Sequence, residues 1–296
     1  VTIAAGRHGH LAAQSAALGR SRLAPAAHVV VAMGDPAVAA VVPTADLVHV
    51  PRVDGRLPLA AARNAGVARA RALGADLLVL LDVDCLPHPA LLSRYAAAAT
   101  THDGLLCGPV GYLPPPADGG YPTDGLRELA VPHPARPVPP EDAVLACSDP
   151  DLFWSLSFAC TPVTWDRLGG FCEDYTGYGG EDTDLGWTAR ARGVPLWWVG
   201  GAWAFHQHHG PGGPPTQHLH DVVRNAGVFF DRHGRWPMLG WLEGFARQGL
   251  ARVGRAHEGF ADEESIHAGR AHLRHVALRQ DARFGNGQAV GRQAGQ

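Results

Sequence analysis

The sequence predicts an α/β protein: a mixed, mostly parallel sheet flanked by helices. Three observations carry that expectation. Short apolar runs alternate with helix-forming stretches through residues 1–110, the order from which a parallel sheet is wound. The run LLVLLDVD, residues 77–84, stays apolar without alternation until its last residues, as a strand covered on both faces must. Finally, 296 residues at 46% hydrophobic and 18% charged suffice for a large single domain, or two, with a sizeable core.

The elements follow in order. VTIAA (1–5) reads as the first strand and HLAAQSAALGRS (10–21) as a helix stopped near Gly19. HVVVAM (28–33) and LVHV (47–50) are the next strands. LPLAAARNAGVARARALG (57–74) is rich in helix formers, and Gly74 stands where a C-terminal glycine cap belongs. The strand 76–84 follows at once, then a helix over 87–100 with proline near its start and a strand over 104–110. Residues 111–150 hold ten of the 24 prolines and predict a long irregular loop, with a short helix near Leu126 to Ala130. Regularity returns as a strand within 151–160, a helix from Pro162, a glycine-rich turn (YTGYGG, 175–180) and a helix over 181–193. A strand in 195–206 leads into a histidine cluster. Helices are expected over 216–234 and 237–254, and a frayed tail over 284–296.

Composition narrows the function. The net charge is −3 and no basic block stands out, so no nucleic-acid footprint is present. All 25 basic residues are arginine, which closes any mechanism that needs a catalytic or phosphate-gripping lysine. The five cysteines form no C-x-x-C pair and read as free thiols. The longest apolar runs fall far short of the roughly 20 residues that span a bilayer, and no signal-peptide pattern opens the chain. A cytoplasmic protein is expected, with peripheral membrane contact left open.

Three constellations carry chemistry. Asp82-Val83-Asp84 ends a buried strand. In an extended segment these two carboxylates share a face, and paired carboxylates suit Mg²⁺ or Mn²⁺, hard cations that also bind substrate phosphates. Gly179-Gly180-Glu181-Asp182-Thr183-Asp184 places three acids in a first helical turn, more than dipole capping requires. One of them could take a proton from a substrate hydroxyl, with the helix dipole expected to hold its pKa low. His206-Gln207-His208-His209 offers imidazoles to a metal.

Strand to D-x-D, glycine-rich turn to acidic helix, strand to histidine: this order resembles the GT-A-fold glycosyltransferases, in particular the β1,4-galactosyltransferase-like branch and the related bacterial family 2 enzymes. GRHGHL (6–11), RNAGVARARALGADLLVLLDVDCLP (63–87), GGFCEDYTGYGGEDTDLGWTARARG (169–193) and FHQHH (205–209) carry the resemblance. It implies a Rossmann-like nucleotide-sugar half (1–110), the proline-rich loop (111–150), an acceptor half (151–235), a helical extension (236–283) and the tail.

By position, Asp84 would bind Mn²⁺ or Mg²⁺ directly. Asp82 would contact the ribose or a metal water, and His206 would be a further ligand with His208 its alternate. Asp182 would be the catalytic base and Glu181 an acceptor-site neighbour. Arg7, Arg63, Tyr178, Gly179 and Gly180 would line the nucleotide-sugar site. Tyr178 stands where the family has tryptophan, and Thr183 replaces its third acid. The implied activity is metal-dependent, inverting transfer of a hexose, galactose or N-acetylgalactosamine among the candidates, from a UDP-sugar to a glycan, lipid-linked or small-molecule acceptor. A nucleotidyltransferase of similar fold and a non-catalytic glycan- or nucleotide-binding module are the rival readings.

Overall fold

The computed structural model describes residues 1–118, 120–208, 215–253 and 260–262. The chain divides into two compact units, Val1–Gly213 and Pro214–Gln296.

The first unit opens with β1 (Thr2–Ala4), α1 (His8–Leu18), β2 (Val29–Met33), α2 (Val38–Val41), β3 (Asp46–Val50) and α3 (Leu59–Ala72). These three strands are parallel, with Thr2 opposite Val30 and Val30 opposite Leu47. β4 (Leu78–Leu81) extends them: the Val1 nitrogen donates to Val79 O at 2.7 Å, and Leu81 N donates to Val1 O at 3.0 Å. After β4 come β5 (Cys85–Pro87), α4 (Leu91–Ala99), β6 (Leu105–Cys107), β7 (Val110–Tyr112), α5 (Leu126–Leu129), β8 (Val131–Pro132) and β9 (Val144–Cys147). A 3₁₀ turn (Pro150–Leu152) leads to β10 (Ser157–Cys160), α6 (Pro162–Leu168), α7 (Glu181–Ala191), β11 (Leu196–Val199) and β12 (Ala204–His206).

The parallel order holds in the first half and gives way in the second. A five-stranded sheet runs β4-β10-β6-β11-β9, with β10 antiparallel to both neighbours and β9 antiparallel to β11. A small sheet, β5-β12-β7-β8, stands beside it. Both faces of the five-stranded sheet are covered. Leu80, Leu105, Phe158 and Trp198 pack on one side with Val67, Trp165 and Leu185. Leu81, Leu106, Ala159 and Val199 pack on the other with Leu91 and Tyr95 of α4. Strand residues that alternate between two cores leave no polar face, which is why the sequence runs apolar there.

Three expectations are corrected. The strand over 76–84 stops at Leu81: Asp82–Asp84 form a turn closed by Cys85 N donating to Asp82 O at 2.9 Å. The strand over 104–110 breaks at Gly108-Pro109, where Pro109 has no N–H to give a ladder. A Cβ on Gly108 would stand 1.9 Å from Ala202 O, so only glycine admits that backbone approach. The proline-rich stretch is less irregular than expected, since β8 and β9 form within it.

The second unit packs α8 (Leu219–His233) and α9 (Leu239–Arg247) around Val222, Val223, Ala226, Leu242 and Phe245. α9 is shorter than the helix expected over 237–254. Gly249, at φ +70°, turns the chain into β13 (Ala251–Val253), which pairs antiparallel with β14 (Phe260–Asp262). The tail expected over 284–296 lies outside the described residues.

Candidate active site

The site begins where β4 ends. The turn at Asp82–Asp84 is pinned from below by Gln14 of α1. The Gln14 Nε2 donates to Asp82 O at 2.6 Å and Cys85 O at 3.0 Å, while its Oε1 accepts from the Thr2 hydroxyl at 2.8 Å. Gln14 is fully buried, so this amide has exchanged water for backbone carbonyls and fixes the turn. The sequence signal was faint: a glutamine three residues after Leu11 and three before Ala17, on the buried stripe of α1.

Because the segment turns rather than extends, its two carboxylates diverge. Asp82 Oδ1 accepts from Arg63 Nη2 at 3.0 Å, and the other arm of that guanidinium reaches Glu181 Oε1 at 2.9 Å. Arg63 thereby ties α3, the D-x-D turn and the first residue of α7 into one group. Its side chain is 6% exposed and that of Glu181 is 7% exposed, so the bridge works in a low-dielectric setting where charge pairing is strong. Burial opposes the charge on Arg63, but Asp82 and Glu181 outweigh it and raise its pKa. Arg63 is therefore a brace between carboxylates.

Asp84 looks the other way. Its Oδ1 is 3.7 Å from His206 Nε2, and its Oδ2 is 3.3 Å from Arg7 Nη1. β12 brings His206 there by pairing it with Cys85, and Gln207 N donates to Asp84 O at 2.7 Å. The ring of His206 lies 5.0 Å from that of Tyr112. Arg7 sits in a loop held by Asp35, which accepts from Gly6 N at 2.7 Å and meets His8 Nε2 at 2.8 Å. His208 is exposed, its amide donating to the Tyr121 hydroxyl at 2.8 Å, and His209 lies outside the described residues.

Could these residues hold a divalent cation? One carboxylate and one imidazole converge, a donor set that suits Mn²⁺ or Mg²⁺. Among the described residues no third His, Cys, Asp or Glu joins them. Asp82 and His208 are thus not part of one cluster with Asp84 and His206. The remaining positions would fall to substrate oxygens and water, as Mg²⁺-type sites commonly arrange. The pair fits.

α7 presents the other acids. Gly177, Gly179 and Gly180 all have positive φ, and Gly180, at φ +94°, caps the helix in the left-handed region. That turn is what aims Glu181 at Arg63. Asp182 Oδ1 accepts from Thr183 N at 2.7 Å. Burial, then the adjacent Glu181 charge, pushes the Asp182 carboxyl up to about 7. The low pKa expected from the helix dipole is overturned, because desolvation exceeds a dipole term of about 0.3–1 kcal/mol. Burial likewise pushes Asp82 up to about 6, against the pull of Arg63. Burial, then the charges of Asp182, Glu181, Asp82 and Asp84, raises the Tyr178 phenol above its ordinary value. Asp184 turns into the core and accepts from the Tyr175 hydroxyl at 3.2 Å.

No protein-family model matches the chain. It is 31% identical over 180 residues to proteins named validoxylamine A glucosyltransferase from Streptomyces hygroscopicus subsp. jinggangensis (strain 5008) and subsp. limoneus. The match takes in 51% of this chain but 39% and 37% of those proteins, so the chain spans under two fifths of their length. In structure it is similar to GalNAc-T7 with UDP, GalNAc and Mn²⁺ (TM-score 0.52, 12% identity, 84% of this chain and 56% of that one). It is also similar to S. aureus TarS residues 1–349 (TM-score 0.50, 13% identity, 78% and 64%). No helix among the described residues is long and apolar enough to cross a membrane. The chain has the GT-A fold of glycosyltransferases, and its sequence is similar to that of a glucosyltransferase.

Proposed function

We propose that this chain is a metal-dependent, inverting glycosyltransferase that moves a hexose from a UDP-sugar to an acceptor hydroxyl. The observation that carries the reading is the Arg63 bridge. It fastens the acidic start of α7 against the D-x-D turn, so a proton acceptor and a charge-binding pair share one site.

Asp84 and His206 would hold Mn²⁺ or Mg²⁺, which when bound would supply neutralisation of charge on the departing diphosphate. Arg7, beside Asp84 Oδ2, faces the same phosphates. Asp82, fixed by Arg63, is left to orient the ribose or a metal water. Asp182 accepts the acceptor's hydroxyl proton as that oxygen attacks C1 from the face opposite the leaving group, and configuration inverts. A carboxyl pushed up to about 7 by burial is matched to that task near neutrality. Tyr178, Gly179 and Gly180 form the turn over both substrates. The relatives are named for glucosyl transfer, so UDP-glucose is the first donor to test. The lysine-free composition speaks against the nucleotidyltransferase reading.

The test is Asp182→Asn. Transfer should fall by a factor of about 10²–10⁴, the range general-base catalysis supplies, while UDP still binds. Unchanged turnover removes Asp182 from the role of base. Binding of UDP without turnover on any sugar donor would favour the non-catalytic module.

A further inference from the structure

Arg136 has no role in the site described, and its surroundings do not explain it. It lies in the proline-rich segment between β8 and β9 and is 7% exposed. Among the described residues its Nε, Nη1 and Nη2 find no hydrogen-bond partner and it forms no ion pair. Its guanidinium rests instead on two indoles, 5.2 Å from the ring centre of Trp154 and 4.7 Å from that of Trp198. The rings attract the cation through its faces. They do nothing for its five in-plane donors. A desolvated guanidinium with idle donors is a costly arrangement, and the natural complement of its planar fork is an oxyanion.

The residue is also linked to the D-x-D site through intermediate neighbours. The ring of His133 is 4.8 Å from that of Trp154 and 6.3 Å from that of Tyr112, whose other contact is His206. Arg136 N donates to His133 O at 3.0 Å. Two residues past Trp154, the carbonyl of Leu156 accepts from Asp82 N at 3.0 Å. The segment of Arg136 is thus linked to His206 by way of His133 and Tyr112, and the Trp154 it rests on lies two residues before the Leu156 that holds Asp82 N. Pro134, Ala135, Pro137 and Val138 around it are exposed, so the segment that carries Arg136 runs along the surface.

We propose that Arg136, on its shelf of Trp154 and Trp198, is the receiving group of an oxyanion subsite that takes a phosphate or carboxylate of a substrate. Two sources share this chemistry: the donor's diphosphate and an anionic group on the acceptor. The transferase reading is needed only to name those sources; the subsite is read without it.

The probe is inorganic phosphate, titrated calorimetrically into the full chain, alone and with UDP and Mn²⁺ saturating. Phosphate binds the wild-type chain, and Arg136→Gln weakens it at least about tenfold, the loss of one charge-assisted contact. Arg136→Lys keeps the charge and stem but not the fork; it weakens phosphate too, and replaces the glutamine variant if that one does not fold. If phosphate still binds under saturating UDP–Mn²⁺, the subsite belongs to the acceptor. If UDP–Mn²⁺ expels phosphate and Arg136→Gln weakens UDP, it belongs to the donor. Equal phosphate and UDP affinities in wild type and both variants make Arg136 a packing residue and overturn the proposal. Asp84→Ala reads the transferase site separately, by loss of UDP–Mn²⁺ binding with phosphate binding retained.

Discussion

At the scale of single residues, the most consequential one is Arg63, which holds two carboxylates on one guanidinium. Removing one member of a buried charge group leaves the others uncompensated, a loss of about 3–5 kcal/mol. Arg63→Met should therefore destabilise the protein by that amount, measured by urea unfolding, although methionine matches the stem. Asp182 makes a second prediction. Its carboxyl titrates near 7 in the folded chain and near 3.9 in an unfolded one. The folded state then binds more protons between about pH 4 and 7, so stability from this group falls as pH rises through that window. His28, which burial lowers to about 4, works in the opposite sense, so the readout is a difference. Wild type should lose stability relative to Asp182→Asn from pH 4 to 7, while its kcat/KM rises through about pH 7 as the base ionises. A parallel pH profile for both proteins would remove Asp182 from the buried acids. The acids and His206 could be singled out as candidates because D-x-D, E-D and H-x-H, each common alone, follow one another in a set order along the chain. Gln14 and Arg136 were not: their roles rest on hydrogen bonds made, or left unmade, by side chains that sequence spacing cannot pair.

At the scale of elements, α7 and its cap decide where Glu181 and Asp182 stand. Most elements were legible because their apolar period and glycine stops are local. What escaped were the breaks that tertiary contacts impose. β4 ends at Leu81 because Gln14 captures the Asp82 and Cys85 carbonyls, and β6 ends at Cys107 because Tyr95 Oη takes the Gly108 N–H at 2.7 Å. Gly180 at φ +94° gives a direct test of the cap. A side chain in the left-handed region costs about 1–2 kcal/mol. Gly180→Ala should lower stability by that amount and transfer by more than stability alone explains, because Glu181 and Asp182 follow the cap. Full activity in a folded Gly180→Ala protein would show that the cap does not position the base.

At the scale of the whole molecule, a parallel half delivers Arg7 and the D-x-D turn, while antiparallel strands of the second half return His206 to them. The antiparallel entry of β10 and β9 was not legible: strand direction depends on connections across 111–156, where the sequence offers proline and few periodic signals. The consequence is that Asp84 after β4 and His206 at the end of β12 meet from far apart in sequence, and a ligand that grips both must lock the two halves together. A ligand bound only to the folded state stabilises it by about 2.7 kcal/mol at a hundred times its Kd. For a unit of this size each kcal/mol is worth about 2–4 °C. UDP with Mn²⁺ should therefore raise the Tm of the first unit by about 5–10 °C. EDTA should reverse the gain, and Asp84→Ala or His206→Ala should never show it. A gain that survives EDTA would mean that UDP is held by arginines alone, and the pairing of Asp84 with His206 would then be structural.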